Sequence, residues 1–264
     1  MLPNNDLRGD QLRGKVALVS GGASGIGQAV AIAYGHAGVH SIVGYYPDDP
    51  HDVNDTVLAV EKSGGRCTAV AVDVRSADQV DSFAQTAITV GGRLDIVVAA
   101  AGIARRAPLE DLDERLWEET LSVDLSGVLR VFRSGAARMA GPGAMVAVSS
   151  IAGGRYGWNH HAHYTAAKAG VIGLCRSLAI ELAPRAIRVN TVIPGLIRTP
   201  QTLDAVNSLG PANLERAGGV IPLGRVGDAD EVANVIVFLT GAGSSYVTGQ
   251  ELVVDGGLAV RRPD

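Results

Sequence analysis

The sequence predicts an α/β fold: a Rossmann-type doubly wound parallel sheet of about seven strands, helices on both faces, in one domain. Three observations carry this. Short apolar runs alternate with helix-length amphipathic stretches from end to end, the pattern of strands joined by crossover helices. Most of the runs are continuously apolar, as strands covered on both faces are. A glycine-rich turn follows the first run and opens directly into a helix pattern.

In chain order, strand 15–20 (KVALVS) leads through the glycine turn to helix 25–37, and strand 39–45 (VHSIVGY) to helix 52–63. Strand 66–72 (RCTAVAV) precedes helix 76–90, and strand 94–100 (LDIVVAA) precedes one long helix over 112–140. Strand 143–149 (GAMVAVS) leads to helix 163–183, strand 186–192 (AIRVNTV) follows, and helix 228–241 precedes strand 250–254 (QELVV). Gly170 and Gly173 inside helix 163–183 are expected where that helix packs closely. Residues 196–226 interrupt the alternation as a Pro/Gly/Asn-rich insertion, long enough to be functional. Residues 1–14 (MLPNNDLRGDQLRG) lack an apolar stretch and read as a polar arm rather than a signal peptide, leaving one domain over 15–264.

Composition narrows the classes of function. Of 264 residues, 47% are hydrophobic and 19% charged, enough for a sizeable core and against disorder. The 34 glycines have no every-third register, so they belong to turns and to close backbone approaches rather than to a collagen helix. A net charge of −4 without a basic tract argues against nucleic acid. The apolar runs are strand-sized, which argues against a membrane span. Two cysteines, Cys67 and Cys175, are too few for a disulfide framework and point to a reducing compartment. The expectation is a soluble cytoplasmic protein acting on a small molecule.

The turn Ser20-Gly21-Gly22-Ala23-Ser24-Gly25-Ile26-Gly27 lies where open α/β sheets deliver a phosphate to a helix N-terminus. Gly21, Ser24, Gly25, Ile26 and Gly27 are its candidate contacts, and Gly27 lets the helix lie close to the strand. Asp73-Val74 ends the third strand, where an acid can meet an adenine edge. Ala100, Ala101 and Gly102 after the fourth strand are small enough for a flat ring to approach.

Tyr164 and Lys168 stand four apart at the start of a helix pattern and so share a face. A free phenol, with a pKa of about 10, is a poor base near neutrality, and a neighbouring ammonium favours its phenolate. Such a tyrosine can protonate a carbonyl oxygen or deprotonate an alcohol. Ser150, at the end of the fifth strand in VAVSSIAG, offers a hydroxyl to the same oxygen.

With these residues in place, the sequence resembles a classical short-chain dehydrogenase/reductase over essentially all of 13–258. The family's TGxxxGIG appears as SGGASGIG at 20–27. Its catalytic serine matches Ser150 and its YxxxK matches Tyr164 and Lys168. Its PGxxxT appears as Pro194-Gly195-Leu196-Ile197-Arg198-Thr199, and its closing VDGG stands at 254–257. The resemblance implies a nicotinamide dinucleotide, with Pro194, Gly195, Ile197 and Thr199 near the nicotinamide, and a homotetramer. Two positions depart from the pattern. NNAG is AAAG here, so Ala100 lacks the asparagine that braces the sheet. The catalytic asparagine is Asp124 in Val123-Asp124-Leu125, a polar replacement whose charge alters how the lysine titrates.

After the second strand, Tyr45 stands where NAD enzymes place an acid, while Asp48 and Asp49 follow and no Lys or Arg lies between Lys15 and Lys62. This favours NAD, with NADP the alternative. The expected reaction is hydride transfer between nicotinamide and a secondary alcohol or ketone. A 3-oxoacyl-thioester reductase and a sugar or polyol dehydrogenase are alternatives, and a non-catalytic nucleotide-binding scaffold is a further one. Candidate substrate contacts are Ala104, Arg105, Tyr156, Trp158, His161 and the 196–220 segment. Arg105 and Arg106 read first as solvated surface arginines. His160, His161 and His163 lack an accompanying carboxylate or thiolate, so no metal is expected.

Overall fold

In the computed structural model, which describes residues 12–261, the first apolar run forms β1 (Val16–Ser20), buried along its whole length. Successive side chains of β1 divide between two cores. Val16 and Leu18 enter one with Phe83, Phe132 and Val171, while Ala17 and Val19 enter the other with Val30, Tyr34 and Ile236. Both faces are thus covered, which is why the run is apolar without alternation.

The chain continues through α1 (Gly25–His36), β2 (His40–Tyr45), α2 (Val53–Lys62), β3 (Arg66–Ala71), α3 (Ala77–Gly91) and β4 (Ile96–Ala99). Then come α4 (Glu114–Asp124), α5 (Ser126–Arg138), β5 (Gly143–Val148), the short turn of helix α6 (Ile151–Gly154), α7 (Ala162–Leu182) and β6 (Ile187–Pro194). The remainder is β7 (Ile197–Arg198), α8 (Pro200–Leu203), α9 (Gly210–Gly218), β8 (Gly227–Asp228), α10 (Ala229–Thr240) and β9 (Glu251–Val254). Seven strands form one parallel sheet in the order β3-β2-β1-β4-β5-β6-β9. The order reverses between β1 and β4, and the crevice beyond their carboxyl ends is where such sheets bind ligands. No helix among the described residues is long and apolar enough to cross a membrane.

Three local expectations need correction, and the insertion gains detail. Leu12, expected in the polar arm, is only 2% exposed and packs within the core of α1 and α10; residues 1–11 of that arm lie outside the described residues. The long helix over 112–140 is broken at Leu125 (φ −122°, ψ −60°), directly after Asp124, whose carboxylate is drawn inward to the Ile103 N–H and to Lys168. The 196–226 insertion carries structure of its own, with β7 and β8 paired and two short helices between them. Gly170 lies under Leu125 as expected, but Gly173 is exposed and a side chain there would meet open space.

At Gly27 a methyl group would stand 2.1 Å from the Gly21 carbonyl oxygen, so α1 lies against the β1 turn only because that position has no side chain. Gly27→Ala is expected to lower unfolding free energy by about 2–3 kcal/mol, the cost of overpacking against backbone that cannot yield. Chemical denaturation measures it, and unchanged stability would show that the turn relaxes freely.

Candidate active site

The crevice is a cavity of about 830 Å³. Every candidate catalytic and cofactor residue named from the sequence lines it except Asp124, which lies behind Lys168; of the individual substrate candidates, only His161 does not line it. At one end is the β1–α1 turn. Gly21 has φ +73°, and a side chain there would stand 2.6 Å from the Ala101 backbone, so glycine is required on both counts. Ser24 precedes α1 without capping it, and the first N–H groups of a helix have no partner within it. Gly25, Ile26 and Gly27 face the cavity at that point, an uncapped helix N-terminus suited to an anion.

Beyond the carboxyl ends of β2 and β3, Tyr45 stands at the rim with Tyr46, Asp48, Asp49 and His51. Asp73 does not present a free carboxylate. Its oxygens accept from the Arg75 N–H and Nε, each at 2.9 Å, and Arg75 Nη2 lies 2.7 Å away. Hydrogen bonding from Arg75 holds that carboxyl below its ordinary range. The guanidinium also lies 5.6 Å from the centre of the Tyr46 ring. Arg75 was not singled out from the sequence; its position two residues after Asp73, the span of a local carboxylate turn, was the available signal.

At the other end, the first two turns of α7 place Tyr164 and Lys168 on one face, both largely buried. Lys168 Nζ lies 5.6 Å from the Tyr164 ring centre and donates to the Val148 carbonyl at 3.2 Å. It forms an ion pair with Asp124 Oδ2 at 3.3 Å, with Asp124 fully buried and Lys168 nearly so. Asp124 Oδ1 accepts from the Ile103 N–H at 2.8 Å, while Oδ2 has the ion pair but no aligned hydrogen bond. Burial raises the Asp124 pKa, opposed by the Lys168 charge. Burial works against the Lys168 ammonium, but Asp124 and then Tyr164 outweigh it, so its pKa is raised. Gly102 serves this pair: a side chain there would stand 3.2 Å from Lys168 Nζ and 3.3 Å from Asp124 Oδ2.

The sheet bracing that Ala100 cannot supply comes in part from Ser20 Oγ, which accepts from the Ala101 N–H at 3.4 Å. It also comes from Ser149 Oγ, which donates to the Lys168 carbonyl at 2.8 Å and ties α7 to β5. β5 stops at Val148, one residue sooner than expected, and Ser150 turns to cap α6. Its Oγ accepts from the Ala152 N–H at 3.1 Å, leaving the hydroxyl proton free to donate.

The wall beside Tyr164 combines Ala104, Ala152 and Trp158, whose ring meets Tyr164 edge-on with centroids 5.7 Å apart. His161, expected in the pocket, is instead buried behind Trp158, stacked on it at 3.6 Å. Arg105 lines the cavity and donates to the Ala104 carbonyl, whereas Arg106 does not line it. From the insertion come Thr199, Asp204, Ser208, Leu209 and Ala217, and from α4 comes Glu119. Glu119 carried no sequence signal, since only the approach of α4 to the crevice brings it there. No cluster of three or more His, Cys, Asp or Glu side chains capable of holding a metal occurs among the described residues.

A family model described as enoyl-(acyl carrier protein) reductase matches residues 21–259. The 3-oxoacyl-(acyl-carrier-protein) reductase of Thermotoga maritima is 39% identical over 252 residues, covering 95% of this chain and 100% of that one. The D-threitol dehydrogenase of Mycolicibacterium smegmatis is 36% identical over 255 residues, covering 95% of each. Among solved structures, carveol dehydrogenase from Mycobacterium avium in complex with NAD superposes with a TM-score of 0.86 at 31% identity. That match covers 96% of this chain and 100% of that one.

Proposed function

The chain belongs to the short-chain dehydrogenase/reductase family and is an NAD(P)-dependent oxidoreductase; on that premise we propose that Tyr164, Lys168 and Ser150 do its chemistry. The observation that carries this reading is the burial of Tyr164 and Lys168 on one face of α7, at the end of a cavity that begins at an uncapped helix N-terminus.

The residues fit a dinucleotide. The first turn of α1 would hold its diphosphate, the wall from Tyr45 to Val74 its adenosine, and Lys168 with Pro194, Gly195, Ile197 and Thr199 its nicotinamide half. When bound it supplies or accepts the hydride. Tyr164 donates the phenolic proton to a carbonyl oxygen in reduction and takes it from the alcohol in oxidation. Ser150 donates its free hydroxyl proton to the same oxygen, stabilising charge that develops there. The Lys168 ammonium favours negative charge on the Tyr164 oxygen, and Asp124 sets how strongly that ammonium is held.

We read the preferred cofactor as NAD. A 2′-phosphate beyond β2 would meet Asp48 and Asp49, and Arg75, the one arginine lining that end among the described residues, is already engaged by Asp73. The substrate end is mainly apolar, with Ala104, Ile151, Trp158 and Leu209. Arg105 there has no carboxylate partner within ion-pair distance among the described residues, which favours a ketone or secondary alcohol bearing an acyl or anionic group. The cytoplasm and a homotetramer complete the reading. Exposed Gly173 on α7 and exposed Ile180 suit close approach of a second chain.

A panel of 3-oxoacyl thioesters, cyclic ketones and polyols, followed by nicotinamide absorbance with each cofactor, tests this. Turnover is expected with KM for NADH lower than for NADPH by about tenfold, since like charges at a binding site cost several kcal/mol at most. A lower KM for NADPH would overturn the cofactor preference. Absence of dinucleotide binding by calorimetry would sink the enzyme reading itself.

A further inference from the structure

The histidine triplet before Tyr164 has a use that metal binding does not explain. His161 is 2% exposed, and both of its ring nitrogens stand against backbone carbonyl oxygens: Nδ1 at 2.8 Å from Asn159 O and Nε2 at 2.9 Å from Asn207 O. A carbonyl oxygen only accepts. A neutral imidazole has one N–H, so in either tautomer one contact would set lone pair against lone pair in a site closed to water. Only the imidazolium donates to both. The Trp158 ring lies over it at 3.6 Å and 4° from parallel, a π face that favours a cation. His163, two residues on, is the complementary case. It is fully buried, neither ring nitrogen makes an aligned hydrogen bond, and burial and then His161 push its pKa down, opposed in part by the Arg105 backbone.

The two carbonyls belong to different parts of the chain. Asn159 lies in the loop before α7, which is anchored where the Ala107 N–H donates to the His160 carbonyl at 2.9 Å, with His160 in the left-handed region at φ 62°. Asn207 lies in the insertion, in a turn built on Asp204. That carboxylate accepts from Val206 N–H, Asn207 N–H and Asn207 Nδ2, and the Asp204 carbonyl accepts from the Ser208 N–H. Asp204, Ser208 and Leu209 face the cavity, so a hold on Asn207 sets one wall of its substrate end.

We infer that His161, as an imidazolium, is a positioning residue that bolts the 204–209 turn to the loop before Tyr164 and fixes the shape of the substrate end. That this is the substrate end rests on the function proposed above, whereas the bolt itself does not. The titratable groups on the elements that meet here are His160, His163 and Tyr164 on its own loop and helix, Arg105 after β4, and Asp204 on the insertion. Because the bolt needs both N–H groups, it holds at low pH and loosens as the ring loses its proton.

The test uses the intact protein without substrate, so its outcome is separate from that of the turnover assays. Nitrogen-15 spectra of histidine-labelled protein, assigned with His161→Gln, are expected to show both His161 nitrogens protonated wherever 204–209 is protected. Hydrogen exchange of amides 204–209, corrected for intrinsic rates, is expected to lose roughly tenfold in protection as that signal changes to the neutral form, the effect of one lost charge-assisted hydrogen bond. His161→Phe keeps a flat ring on Trp158 and is expected to show the low protection at every pH. A neutral His161 ring wherever 204–209 is protected, or wild-type protection that does not change with the ring's titration, would overturn the inference, and both are read on the native chain if a variant fails to fold.

Discussion

Tyr164→Phe is expected to reduce turnover about 10²–10⁴-fold while dinucleotide affinity changes little. The substitution removes one hydroxyl from a residue that is 6% exposed and whose ring packs with Ala104, Ala152 and Trp158. That packing survives in phenylalanine, so the α7 first turn and the position of Lys168 are expected to be kept. What disappears is the proton donor to the substrate oxygen. Calorimetry with NAD and steady-state rates on the same preparation separate the two effects. A variant within tenfold of wild-type turnover would assign the proton transfer elsewhere, to Ser150 or to solvent.

Lys168→Met is expected to abolish turnover and also to lower stability by about 3–5 kcal/mol near neutral pH, because it leaves the Asp124 carboxylate buried and unpaired. The pH dependence has a definite sign. Burial already raises the Asp124 pKa, and loss of the ammonium that opposes this raises it further. A carboxyl whose folded pKa lies above its unfolded value stabilises the fold when protonated, so the deficit shrinks as pH falls and grows as pH rises through the folded pKa. Lys168→Met combined with Asp124→Asn is expected to regain most of the stability and none of the activity. Denaturant titrations across pH measure the first, rate assays the second. Asp124→Asn alone tests the charge: it withdraws support from the Lys168 ammonium, and the alkaline limb of the pH–rate profile is expected to move to lower pH. A double variant no more stable than Lys168→Met would show that the pair is not what holds this region.

How legible the molecule was depended on how local each cause was. The seven strands could be read because runs such as Val16–Ser20 feed cores on both faces and are therefore apolar at every position. The glycine turn and the Tyr164–Lys168 spacing are set within a few residues of chain, and they too were visible. The break at Leu125 was not, because the segment 112–140 keeps a helical pattern while the reason to stop, Asp124 turning inward, involves Ile103 and Lys168 from distant segments. Gly102 lines the crevice as its small size suggests, and only the fold shows that a side chain there would also meet that same ion pair. His161 looked like a pocket residue by proximity to Tyr164, and only the approach of Asn207 from the insertion gives its ring a second partner. Leu12 sat in a stretch too polar on average to mark one buried residue.

The sheet order has a consequence for how the molecule comes into being. β1 is flanked by β2 and by β4, and the Val16 N–H is capped by Asp95, 79 residues later. The turn that follows β1 is closed on one side by Ala101, so the cradle at Gly21 has only one wall until β4 has been synthesised and docked. Pairings of such sequence separation form slowly, since the intervening loop must be ordered before they contribute. A nascent chain that ends before β4 thus carries the whole glycine signature without the wall at Ala101. The cradle at Gly21 is expected to close only when β4 docks beside β1.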